Sequence, residues 1–110
     1  MAILKIRSCD DRYVIYDYLF DKFVFSVTTL LPGMSTKGHS HGHEELYIIK
    51  SGEGLIGLDD VNTRLQEGDM IVIPGNTHHI IKNMSDIKPF TFFCVFESNR
   101  RLIEKQCIKN

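Results

Sequence analysis

Short segments rich in Val, Ile, Phe, Tyr and Thr alternate with turn residues along most of the chain, and this alternation limits the fold more than any other feature. Such residues fit a pleated, half-buried strand. Because the segments follow one another closely with no convincing helix between them, the sequence predicts an all-β antiparallel sandwich or barrel rather than a doubly wound sheet. The predicted strands are Tyr13–Tyr18, Phe23–Leu31, Leu46–Lys50, Gly54–Leu58, Met70–Ile73, His78–Lys82 and Phe90–Phe96.

The domain organisation follows from length and continuity. The chain has 110 residues, the usual size of one domain, and it contains no internal repeat, low-complexity segment or linker. We therefore expect a single domain over residues 1–110. For Asn99–Lys109, a short helix and a strand that pairs with a partner subunit are equally compatible with the sequence.

Charge and cysteine content exclude several function classes. The formal net charge is −1, and the only local basic cluster is Arg100-Arg101, so a nucleic-acid partner is not expected. No segment has the roughly 18 apolar residues of a membrane span, so no membrane partner is expected either. The three cysteines are scattered, and Cys94 lies in an apolar run that predicts a buried thiol. With no signal-peptide pattern, the expected location is the cytoplasm.

The histidines concentrate in two short segments, which together span positions 39–79. In an extended strand His39 and His41 point to the same face, with Cα atoms about 7 Å apart, so both rings can reach one ion. A straight continuation would place Glu45 about 20 Å beyond His39. The chain must therefore turn near Gly42 for that carboxylate to join the two rings. Imidazoles with one carboxylate suit a divalent transition metal better than calcium or magnesium.

The spacing of these residues resembles the two sequence motifs of the cupin family. The first motif has glycine, histidine, histidine, glutamate and glycine at fixed intervals, and the second has glycine, proline, glycine, histidine and asparagine. One position departs from the family pattern, because Asn76 replaces a glycine; asparagine is the residue most able to adopt positive φ in its place. The corresponding residues, with Asn76 as the one departure, are Gly33, His39, His41, Glu45 and Gly52 in residues 33–52, and Gly68, Pro74, Asn76, His79 and Asn83 in residues 68–83.

This resemblance implies a fold and a ligand set. The fold is a double-stranded β-helix, or jelly-roll barrel, in which the stretch between the motifs forms a hairpin. The ligands of one divalent transition metal (Mn, Fe, Ni, Co or Zn) would be His39, His41, Glu45 and His79.

Strand alternation assigns the residues beside these ligand positions to one face or the other. Alternation predicts that His78 and Glu44 face away from the ion, while His43 is expected at the surface or at the pocket mouth. Tyr47 has the parity of Glu45, so it either projects its hydroxyl into the site or packs in the core. By the same argument Asn83 supports the turn or the site. Apolar walls are expected from Ile49, Ile71, Ile73 and Ile81.

Three functions fit a four-ligand ion with two open positions. The first is a sugar-type isomerase or epimerase in which the ion acts as a Lewis acid and Glu45 or Tyr47 moves a proton. The second is an Fe(II)-dependent dioxygenase, and the third is a module that binds a small molecule without turning it over. The resemblance also implies a homodimer, as is common for cupins of this size, and the apolar N-terminal strands and the Leu102–Ile108 tail could supply its interface.

Overall fold

The computed structural model describes residues 3–6 and 11–98, and in these ranges the chain forms nine strands and no helix. The described part therefore contains no helix long and apolar enough to cross a membrane. The strands are β1 (Ile3–Ile6), β2 (Tyr13–Leu19), β3 (Phe23–Leu30), β4 (Glu45–Ser51), β5 (Glu53–Leu58), β6 (Val61–Gln66), β7 (Met70–Ile73), β8 (His79–Asn83) and β9 (Phe90–Glu97).

The strands form two antiparallel sheets. The larger sheet has the order β1-β2-β3-β9-β4-β7, and the smaller has the order β6-β5-β8. The last described strand, β9, lies between β3 and β4, so distant parts of the chain are paired in the middle of the larger sheet. This is the predicted double-stranded β-helix.

The core lies between the two sheets. Alternate residues of β9 are buried, and Ile56 and Ile81 of the smaller sheet join them in one hydrophobic cluster. Full burial of each such side chain contributes about 1.5–3 kcal/mol to folding. Cys94, 4% exposed, belongs to this cluster, as its apolar surroundings in the sequence predicted.

All seven predicted strands are present, with ends shifted by at most one residue. Strands β1 and β6 are absent from the prediction. In β6 only Leu65 is buried, so the strand lacks the alternation of apolar and polar residues that marks a half-buried strand. The hairpin predicted between the motifs is confirmed, since β5 pairs with β6 along its whole length. The tail Asn99–Lys109 lies outside the described residues.

Asn83 supports the turns that follow β3 and β8 and precede β9. Its side-chain nitrogen lies 3.2 Å from the carbonyl oxygens of Leu30 and Leu31 and 2.8 Å from that of Lys88. Its side-chain oxygen accepts a hydrogen bond from the backbone N–H of Ser85 at 2.9 Å. Of the two roles expected for Asn83, the structure therefore favours the turn.

Candidate metal centre

Backbone pairing, rather than strand alternation, brings the two histidine segments together. His39 lies outside the named strands and forms an isolated β-bridge with His79. The backbone N–H of His39 donates to the carbonyl of His79, with an N to O distance of 3.2 Å, and the N–H of His79 donates to the carbonyl of His39 at 2.9 Å. The N–H of Asn76 donates to the carbonyl of His41 at 2.6 Å, which ties the second segment to the first. His39 and His41 are not part of a continuous strand, but their rings lie together as expected, with centroids 5.1 Å apart.

The chain bends at Gly42 and His43 before β4 begins at Glu45. The predicted turn is thus present, but the left-handed backbone is found at Asn76, where φ is 61°, and not at Gly42. Gly75 approaches the same bend, and a Cβ there would lie 3.0 Å from the carbonyl oxygen of Gly42. The expectation that Asn76 replaces a glycine at positive φ is confirmed.

Two histidine rings are oriented in the same way. The Nδ1–H of His39 donates to the carbonyl of Lys37 at 2.9 Å, and the Nδ1–H of His79 donates to the carbonyl of Thr77 at 3.1 Å. A carbonyl oxygen only accepts, so each neutral ring carries its proton on Nδ1 and its lone pair on Nε2. The Nε2 atom of His79 is buried and has no hydrogen-bond partner among the described residues.

The carboxylate of Glu45, 6% exposed, lies among the rings. Its Oε2 atom is 3.4 Å from Nε2 of His41 and 3.3 Å from Nε2 of His43. Its Oε1 atom accepts a hydrogen bond from the hydroxyl of Tyr47 at 3.1 Å and lies 3.7 Å from Nε2 of His79. Both carboxylate oxygens therefore face nitrogen or hydroxyl groups of the same cluster.

The donor atoms form two overlapping groups in which all the atoms lie within 4.8 Å of one another. One group consists of His39, His41 and His79, and the other of His41, His43 and Glu45. Glu45 reaches the first group through its contacts with His41 and His79. Imidazole and carboxylate donors at this separation fit a divalent transition metal.

Burial lowers the pKa of both His41 and His79 below the ordinary value of 6.5. For His79 the hydrogen bond to the Thr77 carbonyl acts in the opposite direction but is the smaller effect. The neutral imidazole is the form that binds a metal ion. The surroundings of these two rings therefore favour the protonation state that ligation needs.

The predicted positions of the residues beside the ligands agree with the structure in some cases and not in others. His78 and Glu44 are exposed, in line with the expectation from alternation. Tyr47 is buried and also directs its hydroxyl to Glu45. His43, for which a surface position was the favoured expectation, instead stacks on His41 with centroids 3.9 Å apart. The sequence carried no signal for this position, because the chain bends at Gly42 and His43 and side-chain alternation does not apply there.

A cavity of about 440 Å³ adjoins the cluster. His43 and Glu45 line it on one side, and Leu46, Val72 and Val95 provide apolar wall. Its volume lies in the range of small-molecule pockets. A larger cavity, about 760 Å³, includes no residue of the cluster and is lined by residues around the β4–β5 turn and the loop before β9, such as Gly52, Ser85 and Lys88.

Comparison with known proteins assigns the chain to a family. A family model described as the cupin domain matches residues 26–96, well over half of the chain. The chain is a cupin. Over 63 residues it is 38% identical to the uncharacterized protein MJ1618 of Methanocaldococcus jannaschii, an alignment that covers 56% of this chain and 50% of that protein. The chain thus spans about half the length of this relative.

Solved cupin structures share the fold. An RmlC-like cupin from Shewanella frigidimarina superposes with a TM-score of 0.77 at 16% identity, covering 91% of this chain and 88% of that one. KdgF from a Halomonas species gives a TM-score of 0.75 at 14% identity, with coverage of 89% and 90%. At these identities the likeness supports the jelly-roll fold and does not identify a reaction.

Proposed function

We propose that this cupin binds one divalent transition-metal ion through His39, His41, Glu45 and His79. The observation that carries the proposal is the buried Nε2 of His79, which has no hydrogen-bond partner among the described residues and lies 3.7 Å from Oε1 of Glu45. Buried polar atoms are nearly always satisfied, so a lone pair in this position calls for a ligand. The carbonyl partners of His39 and His79 fix their rings in the way that metal-binding histidines are commonly fixed.

The test is elemental analysis of untagged protein together with two adjacent variants. We expect a stoichiometric transition metal in the unsubstituted protein and its loss in His79→Ala. His78→Ala is the matched control, since His78 is the exposed neighbour of the buried ligand and lies outside both donor groups. Absence of metal from the unsubstituted protein, even after incubation with each candidate ion, would refute the proposal. Equal metal content in the two variants would exclude His79 as a ligand.

We propose further that the bound ion holds a small oxygen-bearing molecule and that the protein isomerises it. When bound, the ion would act as a Lewis acid toward a carbonyl or hydroxyl oxygen of that molecule. The hydroxyl of Tyr47 is the group placed to transfer a proton, because it is buried and already donates to a carboxylate oxygen of Glu45.

Exchange of substrate hydrogen for deuterium tests this reaction class. Metal-loaded protein in D₂O is incubated with a panel of aldoses, ketoses and hydroxy acids, and each compound is followed by proton NMR. We expect loss of one C–H signal α to a carbonyl for the true substrate class. In Tyr47→Phe the exchange falls by about 100-fold while the metal content stays unchanged. Dioxygen consumption with the iron-loaded protein would instead support a dioxygenase, and saturable binding without either reaction would support a binding module.

A further inference from the structure

His43 is the member of the cluster that the metal-binding proposal leaves unused. Its Nε2 atom lies 3.3 Å from Oε2 of Glu45, close to the 3.4 Å that separates the same oxygen from Nε2 of His41. About a fifth of its side chain is exposed, so the ring is largely covered. We propose that His43 is a positioning residue that holds the carboxylate of Glu45 in its ligating orientation. This inference rests on the proposed metal site.

The ring of His43 is itself held from two sides. It stacks on His41 with an interplanar angle of 8°, and it packs against Phe96 with centroids 5.4 Å apart. A ring fixed by packing loses little freedom when it forms a hydrogen bond, so its N–H group can restrain a partner effectively. The partner restrained here is the carboxylate of Glu45, to which Nε2–H donates.

The two oxygens of Glu45 have different neighbours. His43 contacts Oε2. Tyr47 donates a hydrogen bond to Oε1, and Nε2 of His79 also lies near Oε1. With both oxygens engaged, the carboxylate is held in one orientation, in which it would be available to an ion bound by the neighbouring histidines. Hydrogen-bonded partners of this kind typically contribute 10–100-fold to metal affinity.

Two substitutions separate the hydrogen bond from the packing. His43→Phe keeps an aromatic ring against His41 and Phe96 but removes the nitrogen donor. His43→Gln removes the ring but carries an amide N–H at nearly the same distance from the backbone. His78→Phe, a change of the same type at the exposed neighbour of His79, is the control. Co(II) is the probe: its affinity is measured by competition with a chelator, and its visible absorption reports the coordination number.

We expect His43→Phe to lower Co(II) affinity by about tenfold or more and to change the visible absorption, because the carboxylate of Glu45 loses the hydrogen bond that orients it. His43→Gln should restore most of the affinity, and His78→Phe should match the unsubstituted protein. An affinity retained in His43→Phe but lost in His43→Gln would assign His43 a packing role and overturn the inference.

Copper provides a second discriminating readout. The electron paramagnetic resonance spectrum of the Cu(II)-loaded protein resolves couplings to ligating nitrogens. We expect the same number of nitrogens in the unsubstituted protein and in His43→Gln; loss of one would make His43 a ligand rather than a positioning residue. If the unsubstituted protein binds neither ion, the metal site itself fails, and this outcome is distinct from failure of the role proposed for His43.

Discussion

At the residue scale, Asn76 joins the two histidine segments through its backbone. Its N–H donates to the carbonyl of His41, and its φ of 61° directs the chain toward His79. We expect Asn76→Ala to lower the free energy of unfolding by about 1 kcal/mol, because a Cβ-bearing residue other than Asn or Asp is strained at positive φ. Asn76→Gly should leave it nearly unchanged. Urea denaturation of both variants measures the difference, and equal destabilisation by Ala and Gly would show that the side chain matters more than φ.

Some residues of the centre could be predicted from the sequence and others could not. The convergence of His41, Glu45 and His79 followed from motif spacing, and positive φ at Asn76 followed from what asparagine tolerates. The position of His43 depends on packing against Phe96, a contact between segments more than 50 residues apart in the chain, as well as on stacking against the nearby His41. Spacing within one segment does not report such a contact.

At the scale of elements, close approach of β5 and β9 explains a glycine in a strand. A Cβ at Gly54 would lie 2.6 Å from Cζ of the fully buried Phe90. We expect Gly54→Ala to destabilise the protein by about 1–3 kcal/mol through overpacking. The double variant Gly54→Ala/Phe90→Leu should recover part of this loss, and a double-mutant cycle by chemical denaturation gives the coupling. Strict additivity of the two substitutions would contradict the contact.

The elements themselves were predictable to the extent that burial alternates along them. Strand β9 buries every second residue, and its predicted and observed ranges differ by one residue. Strand β6 exposes five of its six residues, so its place beside β5 follows from hairpin connectivity rather than from its own pattern. An edge strand of this kind receives its conformation from its neighbour, and a search for alternation misses it.

At the scale of the whole molecule, metal binding and stability should be linked. An ion that binds the folded chain alone stabilises it by about 2.7 kcal/mol at a free concentration 100 times its Kd. For a chain of this length that corresponds to a rise in Tm of roughly 10 °C. We expect this rise by differential scanning fluorimetry after adding metal, and its absence in His79→Ala. A rise of the same size in His79→Ala would place the stabilising ion at another site.

The outer face of the six-stranded sheet is apolar across five strands. Residues paired in register share a face, and those opposite the buried rows form two uncharged rows. Met70 and Val72 at one end of these rows are 65% and 53% exposed. The rows are Tyr18, Phe25, Val95, Leu46 and Val72, and Tyr16, Val27, Phe93, Ile48 and Met70.

Contiguous apolar surface of this extent is uncommon on a monomer. We expect a second copy of the chain to cover it, because a two-fold arrangement buries the same face on both copies and leaves no open end for further growth. Phe93→Glu places a charge at the centre of the second row and should convert a dimer to a monomer in light scattering at micromolar concentration. Ile80→Glu, on the outer face of the smaller sheet, should leave the dimer intact. A monomeric unsubstituted protein would contradict this expectation, and disruption by Ile80→Glu alone would move the interface to the other sheet.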